Sequence, residues 1–308
     1  MGRIAPGGVR SSGRVKAAWL GLVLLAAAVP AATPRAQEEA QARFSSGVHA
    51  VEVYATVTDG AGEPVTGLKA GDFQLDDDGR PQTITTFAEG AFPLTVALGV
   101  DRSLSMAGEP LRLARRAAEG FLRQLQPGDR SMVVAISAEA EVVAPLDAPR
   151  DAQLRAVGAL DAWSTTALRD AVVKTLDRLE PEPGRQALVV FSDGTDRYSQ
   201  VSAATMLERA RRGSALVYPI VFGREQVSVL SDAARLTGGR AFALRDARGL
   251  DAALGSIARE LRHQYLLGYA PAGRAEPGRW HPIRVRVRGQ EASAWRVRAR
   301  DGYVTAGL

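Results

Sequence analysis

The chain of 308 residues contains no cysteine. That excludes disulfides, thiol catalysis and lipid attachment through a thiol, so the fold must rest on its apolar core even in an oxidising compartment. Lysine is nearly absent as well, with only Lys16, Lys69 and Lys174, and the positive charge is almost all arginine, which in an alanine-rich chain reads as genome composition. The three histidines, His49, His263 and His281, are scattered without ligand spacing and give a zinc-hydrolase reading no support. Neither a P-loop nor a G-x-G-x-x-G follows the first apolar strand, and no G-x-S-x-G elbow is found. Long apolar runs are missing too. The longest, Ala17 to Val29, is closed by Pro30 and is shorter than the roughly 20 residues a spanning helix needs.

That run has another use. Arg3, Arg10, Arg14 and Lys16 precede it and Ala31 and Ala32 follow, which is the form of a secretory signal, so residues 1–36 are read as a signal and short leader. The expected location is extracytoplasmic: periplasmic, cell-surface or secreted, with association at a membrane surface left open. The formal charge of +5 is also concentrated there, because residues 1–32 carry four positive and no negative side chains. The remainder is close to neutral, which removes the main support for binding nucleic acid.

Beyond the leader the chain divides into three stretches. Residues 43–90 read as a small β module, since Val51, Val53, Ala55 and Val57 alternate with more polar positions. Within it, Asp78-Gly79 between Phe73-Gln74-Leu75 and Thr83-Ile84-Thr85 predicts a hairpin, both turn residues tolerating positive φ. From 91 to 263 apolar strands alternate with amphipathic helices, the pattern of a doubly wound α/β sheet. Strands are predicted at Thr95–Val100, Met132–Ser137, Ala187–Phe191, Ala215–Val221 and Arg240–Leu244, with a short antiparallel edge strand at Glu141–Val143. Helices are predicted along the stripe Leu111, Ala114, Ala118, Phe121, Leu122, Leu125, and over Thr166–Leu179, Ala203–Arg212, Val227–Leu236 and Leu250–His263. Residues 264–308 return to β patterning. Neither β stretch offers much core alone, so the two are expected to pair in one sandwich with the α/β domain between them. Trp280 and Trp295 are expected in that core, and Arg284, Arg286 and Arg288 on the solvated face of an edge strand.

In open α/β sheets, ligands bind where strands end at their carboxyl edge. Asp101, Ser103 and Ser105 directly follow the first strand, so a carboxylate and two hydroxyls spaced two apart can turn towards one point. Asp193 follows a later strand, and Thr166 precedes a helix that can face the same crevice. An oxygen-only set of this kind suits a hard cation, Mg²⁺ or Mn²⁺.

The ordered set, D-x-S-x-S, then Thr, then Asp, resembles the metal-ion-dependent adhesion site of von Willebrand factor type A domains. The opening Val51 to Asp59, the Val65-Thr66-Gly67-Leu68 and Asp72-Phe73 segments, and the closing Gln264 to Tyr269 are similar to an exported bacterial family related to those domains. The resemblance implies a six-stranded sheet of order 3-2-1-4-5-6 with the third strand antiparallel. It implies that Ser103 and Ser105 bind the metal directly, Thr166 directly or through water, and Asp101 and Asp193 mostly through water. A metal so held stays electrophilic, and the resemblance implies that it takes an Asp or Glu from a protein partner. The chain departs from the family in having Trp163-Ser164-Thr165 where glycines are common, which leaves Thr165 as the alternative to Thr166. Asp196, three residues beyond Asp193, reads as a solvated loop acid.

The function expected is that of a non-enzymatic, metal-dependent binding or scaffold protein. The alternatives are a Mg²⁺-dependent hydrolase or phosphoryl-transfer enzyme using Asp101 in the same crevice, and a structural component whose site does not exchange its metal or is inactive.

Overall fold

The computed structural model describes residues 50–222, 228–244, 248–271, 278–289 and 294–305. The leader predicted at 1–36 and the first residues of the predicted β module lie outside the described residues. The described chain opens with β1 (Val51–Thr58), β2 (Phe73–Asp77), β3 (Arg80–Gln82) and β4 (Thr86–Gly90). It continues through β5 (Leu94–Asp101), α1 (Glu109–Gln124), β6 (Arg130–Ile136), β7 (Ala140–Ala144), α2 (Arg150–Gly158), α3 (Leu168–Leu179) and β8 (Arg185–Ser192). Then come α4 (Ala203–Arg212), β9 (Leu216–Phe222), α5 (Ser228–Thr237), β10 (Phe242–Leu244) and α6 (Arg248–Arg262). The closing strands are β11 (Gln264–Tyr269), β12 (Trp280–Val287), β13 (Arg296–Arg298) and β14 (Gly302–Val304).

Six strands form one sheet in the order β10-β9-β8-β5-β6-β7, parallel throughout except for β7, which runs antiparallel to β6. This is the doubly wound sheet that the sequence predicts. Every residue of β5 and β8 is buried, because helices cover both faces. Successive side chains of a strand point to opposite faces, so Val96, Leu98 and Val100 join one apolar cluster with α1 and α6, while Ala97 joins the other with α3, α4 and α5.

Helix α1 shows how the sequence produces such a layer. Gly108 enters it with φ 83°, Glu109 and Pro110 occupy its first turn, and Leu111, Ala114, Ala118, Phe121 and Leu122 line its buried side. Burying Phe121 or Leu122 stabilises by roughly 1.5–3 kcal/mol each. Helix α2 escapes prediction because only Gln153 and Val157 of its nine residues are buried, so it carries no continuous stripe. Helix α5 stops at Gly238-Gly239, where a Cβ on Gly239 would sit 2.1 Å from the Val217 carbonyl oxygen. Only glycine lets the chain pass so close to β9.

The remaining strands form two four-stranded antiparallel sheets, β13-β1-β11-β4 and β14-β12-β2-β3. Each mixes strands from both ends of the chain: β1 lies between β13 and β11, and β12 pairs with β2. Val53, Ala55, Val57, Phe73, Leu75, Tyr265, Leu267, Tyr269 and Ile283 share their apolar core. The Phe73 and Tyr265 rings meet at 5.0 Å.

Two details differ from expectation. The Asp78-Gly79 turn forms, with φ 50° and 74°, but the returning strand is Arg80–Gln82 rather than Thr83–Thr85. Thr85 has already crossed to the other sheet, its N–H donating to the Gly268 carbonyl at 2.8 Å. Trp295 packs against the β core, but Trp280 lies under the Arg211 guanidinium of α4, 3.9 Å from its ring centre. The solvated basic face forms as expected: β14 flanks only residues 280–282, residues 283–287 pair with β2, and Arg284, Arg286 and Arg288 are exposed, with Arg286 3.5 Å from Asp76 of β2.

Polar groups join the sandwich to the amino edge of the large sheet. Arg185, at the start of β8, is 1% exposed and donates to the Leu261 carbonyl, to Gln264 Oε1 at 3.0 Å and to the Phe92 carbonyl at 2.6 Å. Gln264 in turn donates to Thr56 Oγ1 at 3.0 Å. Beside it, Asp129 accepts from Arg262 and from the Leu94 N–H, and Glu260 pairs with Arg298 at 2.7 Å and Arg240 at 3.2 Å.

Candidate metal centre

At the opposite, carboxyl edge, three loops converge. Asp101 ends β5 and is fully buried. Its Oδ1 accepts the Ser103 N–H at 2.9 Å and its Oδ2 accepts the Ser192 hydroxyl at 2.6 Å. Ser192, the last residue of β8, therefore ties the first loop to the third, and its own oxygen accepts the Gly194 N–H at 2.9 Å. Ser103 is buried, Ser105 is exposed, and their hydroxyl oxygens lie 3.1 Å apart.

The second loop is laced to both others. The Leu104 N–H donates to the Ser164 carbonyl at 3.0 Å and the Trp163 N–H to the Arg102 carbonyl at 2.7 Å. The Thr166 carbonyl accepts from the N–H groups of Arg197 and Tyr198, both at 3.1 Å. Thr166 is 2% exposed, and among the described residues its hydroxyl has no hydrogen-bond partner, whereas Thr165 is only half-buried. Ser164 sits at φ 63°, the left-handed conformation for which glycine is usual. A small side chain fills that position here, and the Trp163 ring is turned outward, 65% exposed.

Asp193 follows Ser192, half-buried, with Oδ1 accepting the Thr195 N–H at 2.8 Å. Burial pushes the Asp101 carboxyl up to about 6 against hydrogen bonds from Ser192 and Ser103, and the Asp193 charge adds to the rise. Among the described residues no arginine, lysine or histidine lies within ion-pair distance of either carboxylate. Two carboxylates and three hydroxyls without a compensating cation form a donor set that fits Mg²⁺ or Mn²⁺.

Two neighbours were hidden in the sequence. Ser192 shows nothing special there beyond preceding an acid at a strand end. Asp196 is not a solvated loop acid: it accepts from Arg169 Nε at 2.8 Å, from the Arg169 N–H at 3.0 Å and from Ser199 Oγ at 2.8 Å. Burial alone would raise its carboxyl, but these bonds hold it below the usual range, and they fasten the third loop to the start of α3. The histidines also differ from expectation, because the fold brings His281 to Asp77 and Asp78 in the β sandwich.

Residues 96–195, which span β5 to β8 and the three loops described above, match the family model of the von Willebrand factor type A domain. No curated protein matches the chain. Among solved structures it is similar to von Willebrand factor type A from Catenulispora acidiphila, at 15% identity over 85% of this chain and 76% of that one, TM-score 0.49. It is similar also to the conserved hypothetical protein BatB from Bacteroides thetaiotaomicron, at 13% identity over 54% of this chain and 98% of that one, TM-score 0.44. A third is proximal thread matrix protein 1 from the mussel byssus, at 15% identity over 60% of this chain and 51% of that one, TM-score 0.49.

Proposed function

We propose that the carboxyl edge is a metal-dependent protein-binding face and that the chain works as a binding protein rather than a catalyst. Asp101, Ser103, Ser105, Thr166 and Asp193 would hold Mg²⁺ or Mn²⁺, and the cation would supply an electrophilic position for an Asp or Glu of a partner. The observation that carries this reading lies around the site. Among the described residues the exposed large hydrophobic side chains are Leu104, Trp163 and Tyr198, at 65%, 65% and 60% exposure. One comes from each of the three loops, and backbone hydrogen bonds lace those loops together. Covering such groups stabilises a complex by roughly 1.5–3 kcal/mol per side chain, so a carboxylate flanked by apolar residues fits this face. Residues 91–263 would form the binding domain, 43–90 with 264–308 its supporting module, and the leader at 1–36 supports work outside the cytoplasm. Among the described residues no helix is long and apolar enough to cross a membrane.

Thermal unfolding of the full chain with Mg²⁺ or Mn²⁺ and with EDTA tests the site. Metal at ten times its Kd should add roughly 1.4 kcal/mol, and Asp101→Ala should abolish the gain. Selection from a displayed random-peptide library in Mg²⁺ should enrich Asp or Glu beside aromatic or aliphatic residues, released by EDTA. Trp163→Ser should keep the metal response and weaken the selected peptides at least fivefold. Peptides that stay bound in EDTA and on Asp101→Ala would sink the reading.

A further inference from the structure

The β sandwich contains a second cluster of metal-ligating groups, chemically unlike the first. Asp77 ends β2, Asp78 opens the turn that follows, and His281 lies near the start of β12. The two strands are antiparallel neighbours, with Asp77 opposite Ile283 and the Asp78 N–H donating to the Pro282 carbonyl at 3.0 Å. This register brings one ligand atom from each of the three residues within 4.8 Å of the others. His281 Nδ1 is 2.9 Å from Asp78 Oδ2 and 3.9 Å from Asp77 Oδ1.

Asp77 shows that the cluster is incomplete as it stands. It is 5% exposed, and its Oδ2 accepts the hydroxyls of Tyr269 at 2.9 Å and Tyr303 at 3.0 Å. Its Oδ1 is buried too and among the described residues has no hydrogen-bond partner. A buried carboxylate oxygen left bare is costly, and among the described residues no arginine or lysine lies within ion-pair distance of Asp77. The bare oxygen faces the imidazole and the Asp78 carboxylate. Arg279 reaches only Asp78, at 3.3 Å and from the exposed side. Among the described residues His281 Nε2 is buried without a partner whichever ring nitrogen carries the proton, so it does not decide the matter.

We propose that Asp77 Oδ1, Asp78 and His281 Nδ1 hold a divalent transition-metal ion of the Zn²⁺ type. An imidazole with two carboxylates favours Zn²⁺ over Mg²⁺, in contrast to the oxygen-only set at Asp101. The tyrosine hydroxyls on Asp77 Oδ2 are the outer hydrogen bonds that orient a ligating carboxylate. The partly exposed Asp78 leaves the fourth position open to water. The ion would cross-link the N-terminal hairpin to the C-terminal strand, a role that a chain without cysteine cannot give to a disulfide.

The test is Zn²⁺ titration by calorimetry into the tag-free full chain carrying Asp101→Asn, which silences the other site, followed by the visible spectrum of the Co²⁺ form. The expected result is one Zn²⁺ per chain, weakened at least tenfold by His281→Gln and by Asp77→Asn and severalfold by Tyr303→Phe. The Co²⁺ bands should vanish with His281→Gln. Arg279→Gln, which frees Asp78, should tighten Zn²⁺ binding and serves as the second variant should His281→Gln fail to fold. No uptake of Zn²⁺, uptake unchanged by His281→Gln in a folded protein, or affinity unchanged by Arg279→Gln would each overturn the proposal.

Discussion

The two edges of the six-stranded sheet each bury a charge, and they treat it in opposite ways. At the amino edge Arg185 is 1% exposed, yet the chain itself supplies oxygen acceptors from Leu261, Gln264 and Phe92. Nearby, Asp129 and Arg262 neutralise each other directly. At the carboxyl edge Asp101 is buried beside Asp193 with hydroxyl and amide donors but, among the described residues, no cationic side chain. The first edge is complete and holds the two parts of the fold together. The second has no compensating positive charge among the described residues, and that contrast is why a bound cation is proposed there.

This contrast can be broken in three places. Arg185→Met leaves two buried acceptors and the part-buried Phe92 carbonyl without their donor and should cost about 3–5 kcal/mol in urea unfolding, equally with Mg²⁺ and with EDTA. A loss that metal restores would mean that the two edges are not independent. Arg262→Gln should cost about 2 kcal/mol at neutral pH. Burial alone would raise the Asp129 carboxyl, but bonds from Arg262 and from the Gln126 and Leu94 N–H groups hold it below its ordinary value of 3.8. A depressed carboxyl stabilises the fold above its unfolded pKa and loses that contribution as pH falls through the folded one. Stability curves should therefore show the variant's deficit shrinking below about pH 4; a deficit constant with pH would contradict the assignment. Asp101→Asn keeps the shape of the side chain and removes the uncompensated charge, so in EDTA it should gain about 1 kcal/mol while losing its metal response. A clear loss in EDTA would show that the carboxylate is compensated by the fold after all.

What the sequence makes legible follows from locality. The alternation in β5, the stripe of α1 and the spacing of Asp101, Ser103 and Ser105 depend on neighbours within a few residues, and each is readable. The strand order came through resemblance rather than periodicity, whereas the antiparallel β7 was legible at Glu141–Val143 from its own residues. Harder to read were Arg169 on Asp196 and His281 on Asp78, because each pair meets only when distant loops or strands are set side by side. Ser164 belongs to the same class: nothing local announces φ 63°, which arises because its carbonyl and the Trp163 N–H are held by the first loop. Helix α2 was missed for the plainer reason that it buries too little to leave a periodic trace.

The interleaving of the two β sheets has a consequence for the order of folding. Thr56 and Gln264, hydrogen-bonded to each other, stand 208 positions apart in the chain, and among the described residues the strands that pair with β1 are β11 and β13, near the other end of the chain. A contact so distant forms slowly because a long loop must close first. The parallel sheet, whose strands and helices all lie between β4 and β11, is free to fold earlier. Once formed, it brings Gly90 and Gln264 to adjacent places in one ladder, and the closing loop shrinks from most of the protein to a short gap. The inserted domain is thus the template on which its own support is assembled, and damage to its core should appear first as failure of the sandwich to close.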